Sequence, residues 1–276
     1  MGMRLSSLRL YCINLERRAD RWAHVEAQTA GLPCDLERIA AVDGKAPGFA
    51  EANASLPRSG PVGPMLDSTL ACSLSHFKTW QTFVDDASAG EVALVLEDDM
   101  AFTPRAQAAL TAALDADLGG YDLLKVEGLM PRAKGRLLGP GQAIGGPFHI
   151  HRAFQLLGGA AGYLIRRRLA EHLLTSFTPA LSVPIDHFLF YPGRRSGFAG
   201  VPYGVLRPAI VRQAKALGSD IPIPEVGNRL RPRARGWYEL GQARLVLQAM
   251  VFHRARAYRI PYDEGDDAGD NAGAGA

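Results

Sequence analysis

Cysteine is scarce in this chain of 276 residues, which contains only Cys12, Cys34 and Cys72. The three are widely spaced and form no CxxC pair, so no zinc or redox motif of that kind is present. An odd, scattered set also argues against a disulfide framework and favours a reducing compartment. Cys12 falls within an apolar run, where we expect a core residue.

Long apolar runs are missing as well. No apolar stretch reaches the roughly 18 residues that a membrane-spanning helix needs, and residues 1–8 hold too little apolar length for a signal peptide. Hydrophobic residues make up 47% of the chain and charged residues 21%, which is typical of a soluble globular protein. We therefore expect a cytoplasmic protein.

Neither sign of charge dominates the whole chain. Lys and Arg number 31 and Asp and Glu 28, a formal net charge of +3, which implies no nucleic-acid partner. The C-terminal part is different, since eight arginines and one acid lie between Arg229 and Arg259. The amphipathic pattern from Trp237 to Tyr258 fits a basic helix on the inner, anionic surface of a membrane. It fits equally a helix packed on the domain with solvated arginines.

The most distinctive feature of the sequence is a run of three consecutive acids after an apolar segment. Residues 93–96 are apolar, and Glu97, Asp98 and Asp99 follow directly. Such a run predicts a strand buried on both faces of a parallel or mixed sheet. Ligands of α/β folds bind at the carboxyl ends of such strands, and a divalent cation would relieve the repulsion between the acids. A solvated turn with a helix cap is the alternative.

Hydrophobic periodicity predicts alternating strands and helices. Strands are expected at residues 8–14, 36–44, 93–97, 121–127, 162–165 and 205–211, and helices at 73–84, 103–117 and 166–176. Thr103 is expected to cap its helix, with Pro104 at the first helical position. Residues 45–70 predict a long loop, and residues 128–147 a loop or a hairpin.

Polar side chains of possible functional importance lie at the end of the first predicted strand and at the start of the first predicted helix. Asn14, Arg17 and Arg21 come after the first strand, which suits an anion held at a helix start, or an ordinary solvated helix. Ser75 and His76 fall in the first turns of a predicted helix, where a lone histidine is more often structural than a ligand.

These stretches together resemble one family, the bacterial lipopolysaccharide and lipooligosaccharide glycosyltransferases of family 25, to which collagen galactosyltransferases are related. The matching stretches, in the order that the family shows, are residues 13–21, 71–76, 95–99, 162–165, 184–186 and 213–221. Each is weak alone, and their order and spacing make the resemblance specific. One departure is Ala71-Cys72 ahead of Ser73, where many members carry a glycine.

The resemblance implies a GT-A-like fold, a nucleotide-binding mixed α/β sheet flanked by helices. We place this domain at residues 1–225 and a basic amphipathic helical appendage at 226–262. Residues 263–276, mostly Asp, Gly and Ala, predict a disordered tail.

The resemblance also implies an inverting transfer of a sugar, commonly galactose from UDP-galactose, to a lipooligosaccharide or other glycan acceptor, with Mn²⁺ or Mg²⁺. Carried over residue by residue, the nucleotide-binding positions are Asn14, Arg17, Arg21, Ser75, His76, Glu97 and Asp98. Asp99 would hold the metal, and Glu97 either the metal or the ribose. The base that deprotonates the acceptor would be Asp186, with Glu127 as second candidate. After Pro184, Asp186 is explained nearly as well as a helix cap.

Three other function classes fit less well. A receiver domain carries its paired acids after the first strand, whereas 96 residues precede Glu97 here, and residues 128–160 contain no Asp. A metal-dependent phosphohydrolase needs clustered ligands, and the seven histidines are scattered. An inactive UDP-sugar-binding or membrane-associated scaffold would have lost the acids, so their presence favours an enzyme.

Overall fold

The computed structural model describes residues 4–128, 135–178, 181–193, 197–214, 217–218 and 245–264. Its strands are β1 (Arg9–Asn14), β2 (Asp35–Ala40), β3 (Ser59–Gly60), β4 (Gly63–Pro64), β5 (Val92–Glu97), β6 (Met100–Phe102), β7 (Leu123–Lys125), β8 (Arg136–Gly145), β9 (Phe148–Ala153), β10 (Gly162–Arg166), β11 (Gly204–Arg207), β12 (Val211–Gln213) and β13 (Arg256–Tyr258). Its helices are α1 (Ala19–Thr29), α2 (Phe49–Ala52), α3 (Asp67–Asp85), α4 (Ala106–Asp115), α5 (Arg167–Ser176) and α6 (Ile185–Leu189). Residues 245–253 form a further helix.

Nine strands form one mixed sheet in the order β13-β8-β9-β11-β7-β10-β5-β1-β2. Strand β5 pairs in parallel with β1 and antiparallel with β10, so the acids follow an interior strand. Every residue of β5 before Glu97 is buried, as the unbroken apolar run predicts. The predicted fold class, a mixed α/β sheet flanked by helices, is confirmed.

The side chains of β5 alternate between two hydrophobic cores. Ala93 and Val95 pack in the core that includes Trp80 of α3, on one face of the sheet. Leu94 and Leu96 pack on the other face, in the core that includes residues of α1 and α4. Burying one leucine side chain contributes about 1.5–3 kcal/mol. The strand is thereby fixed from both sides, and the position of its carboxyl end is fixed with it.

Two helices begin elsewhere than the sequence predicts. Helix α3 begins at Asp67, inside the predicted loop, so Ser75 and His76 lie in its middle rather than in its first turns. Helix α4 begins at Ala106 with Arg105 as its N-cap, so the predicted cap at Thr103 is wrong. The reason is that β6 pairs with β12 just before this helix, and the Thr103 amide donates to the Ile210 carbonyl at 2.9 Å.

The chain from residue 136 to 153 forms an antiparallel hairpin of β8 and β9, one of the two predicted alternatives for this region. Residues 245–253 are helical, as predicted, but the chain then forms β13, which pairs antiparallel with β8. Asp263 is also buried and accepts from Arg105 Nε at 2.8 Å. Residues 256–258 are therefore a strand of the main sheet rather than a helix. The proposed boundary at 225, most of the appendage and the tail from 265 lie outside the described residues.

Candidate functional site

A cleft opens at the carboxyl ends of the parallel neighbours β1 and β5. Its lining combines the segment after β1, residues 41–45 after β2, the N-terminal half of α3, and the three acids. Besides the three acids, Arg17 and Lys45 contribute two positive charges to this lining and Asp43 contributes one negative charge. Of the predicted site residues, Arg17, Arg21, Ser75, Glu97, Asp98 and Asp99 line the cleft.

The charge of Asp98, the middle acid, is balanced by Arg21 of the same chain. It is 6% exposed and accepts from Arg21 Nη1 at 2.6 Å and from Asn14 Nδ2 at 2.7 Å. The Asn14 amide oxygen in turn accepts from Arg38 Nε at 2.9 Å, and Arg21 Nη2 donates to the Gly218 carbonyl at 2.7 Å. Asn14, Arg21 and Asp98 therefore bind one another and hold the end of β5 against β1 and α1.

Asp99 and Glu97 have a different environment from Asp98. Asp99 Oδ1 is buried and has no hydrogen-bond partner among the described residues. Burial and then the charge of Glu97 raise the pKa of Asp99 to about 7. Burial and then the charges of Glu127 and Asp186 raise the pKa of Glu97 to about 8. A bound cation relieves repulsion of this kind.

His76 lies beneath Glu97 and orients it. Trp80 Nε1 donates to the Tyr163 hydroxyl at 2.9 Å, so the hydroxyl can donate its own hydrogen to His76 Nδ1, 2.8 Å away. The hydrogen of the neutral ring then lies on Nε2, which is 3.4 Å from Glu97 Oε1. Burial lowers the pKa of His76 to about 3, which keeps the ring neutral.

Ser75 and Arg17 hold the segment after β2 in place. Ser75 Oγ accepts from the Val42 amide at 2.9 Å and donates to the Ala71 carbonyl at 2.7 Å. Arg17 Nε donates to Asp43 Oδ2 at 2.8 Å, which tethers the same segment. Both residues thus shape the basic side of the cleft.

Asp186 and Glu127 lie beside Gly159 and are not among the residues that line the cleft. Asp186 Oδ2 accepts from the Gly159 amide at 2.9 Å, and Glu127 Oε2 accepts from the Ala161 amide at 3.1 Å. Gly159 has φ +82°, and a Cβ there would lie 2.5 Å from Glu127 Oε1. Glycine is therefore required for the backbone to pass this carboxylate.

Lys125 is absent from the residues predicted from sequence. It is fully buried, and its Nζ donates to Glu127 Oε2 at 2.7 Å and to the Gly159 carbonyl at 2.5 Å. The Nζ atom also lies 4.5 Å from the centre of the Phe190 ring. The available signal was a lysine two residues before Glu127, on the same face of an apolar strand.

The segment that contains the cleft is similar to known proteins. A model of the family described as "Glycosyltransferase family 25 (LPS biosynthesis protein)" matches residues 8–130. Residues 8–130 are therefore similar to glycosyltransferase family 25. Every residue named above as lining the cleft lies within the matched segment.

Two curated insect relatives carry the name "Glycosyltransferase 25 family member". The protein of Anopheles gambiae is 34% identical over 137 residues, which are 44% of this chain and 22% of that protein. The protein of Aedes aegypti is 32% identical over 131 residues, 42% of this chain and 20% of that protein. The match thus spans about a fifth of the length of these family 25 relatives.

Two solved structures give weak similarity. A mannose-1-phosphate geranyltransferase from Thermus thermophilus has a TM-score of 0.35 and 13% identity, covering 74% of each chain. An inositol-1-phosphate CTP transferase from T. maritima has a TM-score of 0.36 and 12% identity, covering 77% of this chain and 73% of that one.

Proposed function

We propose that this protein is an inverting, metal-assisted glycosyltransferase. It transfers a sugar, galactose from UDP-galactose as the first donor to test, to a lipooligosaccharide or other glycan acceptor. The main support for the proposal is the pair Glu97 and Asp99, at and just after the end of β5. The cleft that they line lies within the segment that the family 25 model matches.

The residues fit a hard divalent cation, Mn²⁺ or Mg²⁺. Asp99 offers a buried oxygen without a partner among the described residues, and Glu97 lies beside it. Asp98 is less suited, because Arg21 and Asn14 already occupy its two oxygens. We therefore assign the cation to Asp99 first and Glu97 second. When bound, such a cation would offset the charge of the nucleoside diphosphate leaving group.

The basic side of the cleft suits the diphosphate of the donor. Arg17 and Lys45 supply positive charge there, and α1 begins at Ala19, after the short segment of residues 15–18 that follows β1. A helix N-terminus and arginine side chains both favour phosphate groups. In this proposal Ser75 acts by holding residues 41–45, which form part of this wall.

Asp186 remains the proposed base for the acceptor hydroxyl, with Glu127 as second candidate. Asp186 is partly exposed, whereas Glu127 is 4% exposed and paired with Lys125. An acceptor sugar therefore reaches Asp186 more readily. Both carboxylates lie close enough to Glu97 for their charges to raise its pKa.

The test is UDP release from UDP-galactose with and without Mn²⁺, in the presence of a lipooligosaccharide acceptor. A thermal-shift series with UDP-sugars accompanies it, since a ligand that binds the native state raises the melting temperature. Metal-dependent UDP release that requires the acceptor would support transfer. If no common donor gives metal-dependent release, the protein is better described as an inactive nucleotide-sugar-binding scaffold.

We further propose that the helix at residues 245–253 contacts the inner, anionic face of the cytoplasmic membrane. No helix among the described residues is long and apolar enough to cross a bilayer. This helix packs on the hairpin through Ala249, while Leu247, Met250, Val251 and Phe252 are 56–77% exposed. An exposed apolar face beside arginines is typical of helices that lie on anionic membranes.

A further inference from the structure

Cys72, His76 and Glu97 form a cluster of potential metal ligands, of which the proposed transfer uses only Glu97 as a ligand. Cys72 and His76 lie one turn apart on the same face of α3. Cys72 Sγ is 3.8 Å and His76 Nε2 is 3.4 Å from the same atom, Glu97 Oε1. One ligand atom from each residue lies within 4.8 Å of the other two.

These separations match those around a tetrahedral metal ion. With bonds of about 2.0–2.3 Å to nitrogen, oxygen and sulfur, neighbouring ligand atoms of tetrahedral Zn²⁺ lie roughly 3.3–3.6 Å apart. The measured distances from Glu97 Oε1 differ from this range by only a few tenths of an ångström. All three ligand atoms lie within 4.8 Å of one another, so small side-chain movements would bring them to one ion.

The three ligands together favour a different ion from the Mn²⁺ or Mg²⁺ that we propose at Asp99. Thiolate and imidazole favour Zn²⁺ and similar transition metals, whereas Mg²⁺ and Mn²⁺ prefer oxygen ligands. We propose that Cys72, His76 and Glu97 bind Zn²⁺, with one coordination position left open to the cleft. Binding releases the Cys72 thiol proton to solvent as the sulfur–metal bond forms, and so weakens at low pH.

The surroundings of the cluster suit this role. Cys72 and Glu97 both line the cleft, which gives an ion and a fourth ligand, water or a phosphate oxygen, a path of entry. His76 Nε2 must present its lone pair, so the ring hydrogen moves to Nδ1. His76 Nδ1 then donates a hydrogen bond to the Tyr163 hydroxyl oxygen, 2.8 Å away, which fixes the ring in its present position.

The experiment is a Co²⁺ titration of the metal-free, full-length protein, followed by absorption spectroscopy. Thiolate-to-cobalt charge transfer in the near ultraviolet and intense visible bands of a tetrahedral site are expected, and Zn²⁺ should remove both. Cys72→Ser should abolish the charge-transfer band and raise the dissociation constant for Zn²⁺ at least about tenfold. Cys34→Ser is the matched control, since Cys34 is a partly buried thiol outside the cluster, and it should leave the spectrum unchanged.

Two results would overturn the proposal: no charge-transfer band in the wild-type protein, or a band that survives Cys72→Ser. Thermal melting of both variants shows whether each is folded, and Cys72→Ala serves as the second variant if Cys72→Ser is not. The spectrum is read without donor or acceptor, so its outcome is independent of the proposed transferase activity. One consequence does rest on that activity: Zn²⁺ would inhibit Mn²⁺-dependent transfer by taking Glu97, and more weakly in Cys72→Ser.

Discussion

Replacing Asp98 by Asn should destabilise the fold, whereas the same change at the adjacent Asp99 should not. Asp98 is buried and binds two side chains at once, Arg21 at 2.6 Å and Asn14 at 2.7 Å. An asparagine has one acceptor oxygen, so its amide nitrogen would face one of these two donors. The guanidinium of Arg21, which is 4% exposed, would also lose its counter-charge.

The size of the effect follows from these contacts. Breaking a buried ion pair by removing one partner costs about 3–5 kcal/mol. Arg21 keeps its hydrogen bond to the Gly218 carbonyl at 2.7 Å, so we expect the lower end, about 3 kcal/mol. A domain of this size loses about 2–4 °C of melting temperature per kcal/mol, which predicts a fall of roughly 6–12 °C for Asp98→Asn.

The assay is thermal and urea unfolding, followed by circular dichroism in metal-free buffer near pH 8. Asp99→Asn is the control, because it removes a buried carboxylate whose pKa is already raised to about 7 by burial and by Glu97. This variant should melt at or above the wild-type temperature. Wild-type melting of Asp98→Asn together with earlier melting of Asp99→Asn would contradict this assignment of roles to the two acids.

Four further outcomes are expected. Asp99→Asn should lose the rise in melting temperature that Mn²⁺ gives the wild-type protein, measured by thermal shift; an unchanged rise would contradict the assignment of the cation. Asp186→Asn should lower transfer by about 10²–10⁴-fold with UDP-galactose binding retained, measured by UDP release and calorimetry, and near-normal turnover would eliminate it as the base. Gly159→Ala should cost about 1–3 kcal/mol in urea unfolding, because of the positive φ and the contact with Glu127, and an unchanged midpoint would refute this. Phe252→Ser, at a side chain 77% exposed, should leave stability unchanged and reduce co-sedimentation with anionic vesicles about tenfold; equal sedimentation would argue against membrane contact.

The sequence alone predicted the elements whose patterns are local. The apolar run before Glu97 identified β5 because a strand buried on both faces needs no polar position. The start of α3 at Asp67 escaped prediction because prolines and glycines in residues 45–70 obscure the helical period. β13 escaped for a different reason: its strand state depends on pairing with β8, more than a hundred residues earlier in the chain.

The site was predicted as a set of residues, but not as a set of contacts. Arg21, Asp98 and Glu97, which the resemblance names as site residues, line one cleft. It could not show that Arg21 is bound to Asp98, because that pairing joins residues 77 positions apart. Lys125 escaped because a buried lysine becomes recognisable only when its acceptors, Glu127 and the Gly159 carbonyl, are in place.

The division of roles within the three acids follows from the alternation of the strand that precedes them. Ala93 and Val95 face the core beside α3, and Glu97 continues that face, where it contacts Cys72 and His76. Leu94 and Leu96 face the core beside α1, and Asp98 continues that face to Arg21 of α1. Because strand side chains alternate with a period of two, Asp98 leaves the end of β5 on the face opposite to Glu97. Asp99 follows in the turn after β5 and lines the cleft, where it has a buried oxygen without a partner among the described residues. Glu97 is a proposed ligand both of the zinc at α3 and of the cation at Asp99, so the two proposed metals would compete for one carboxylate.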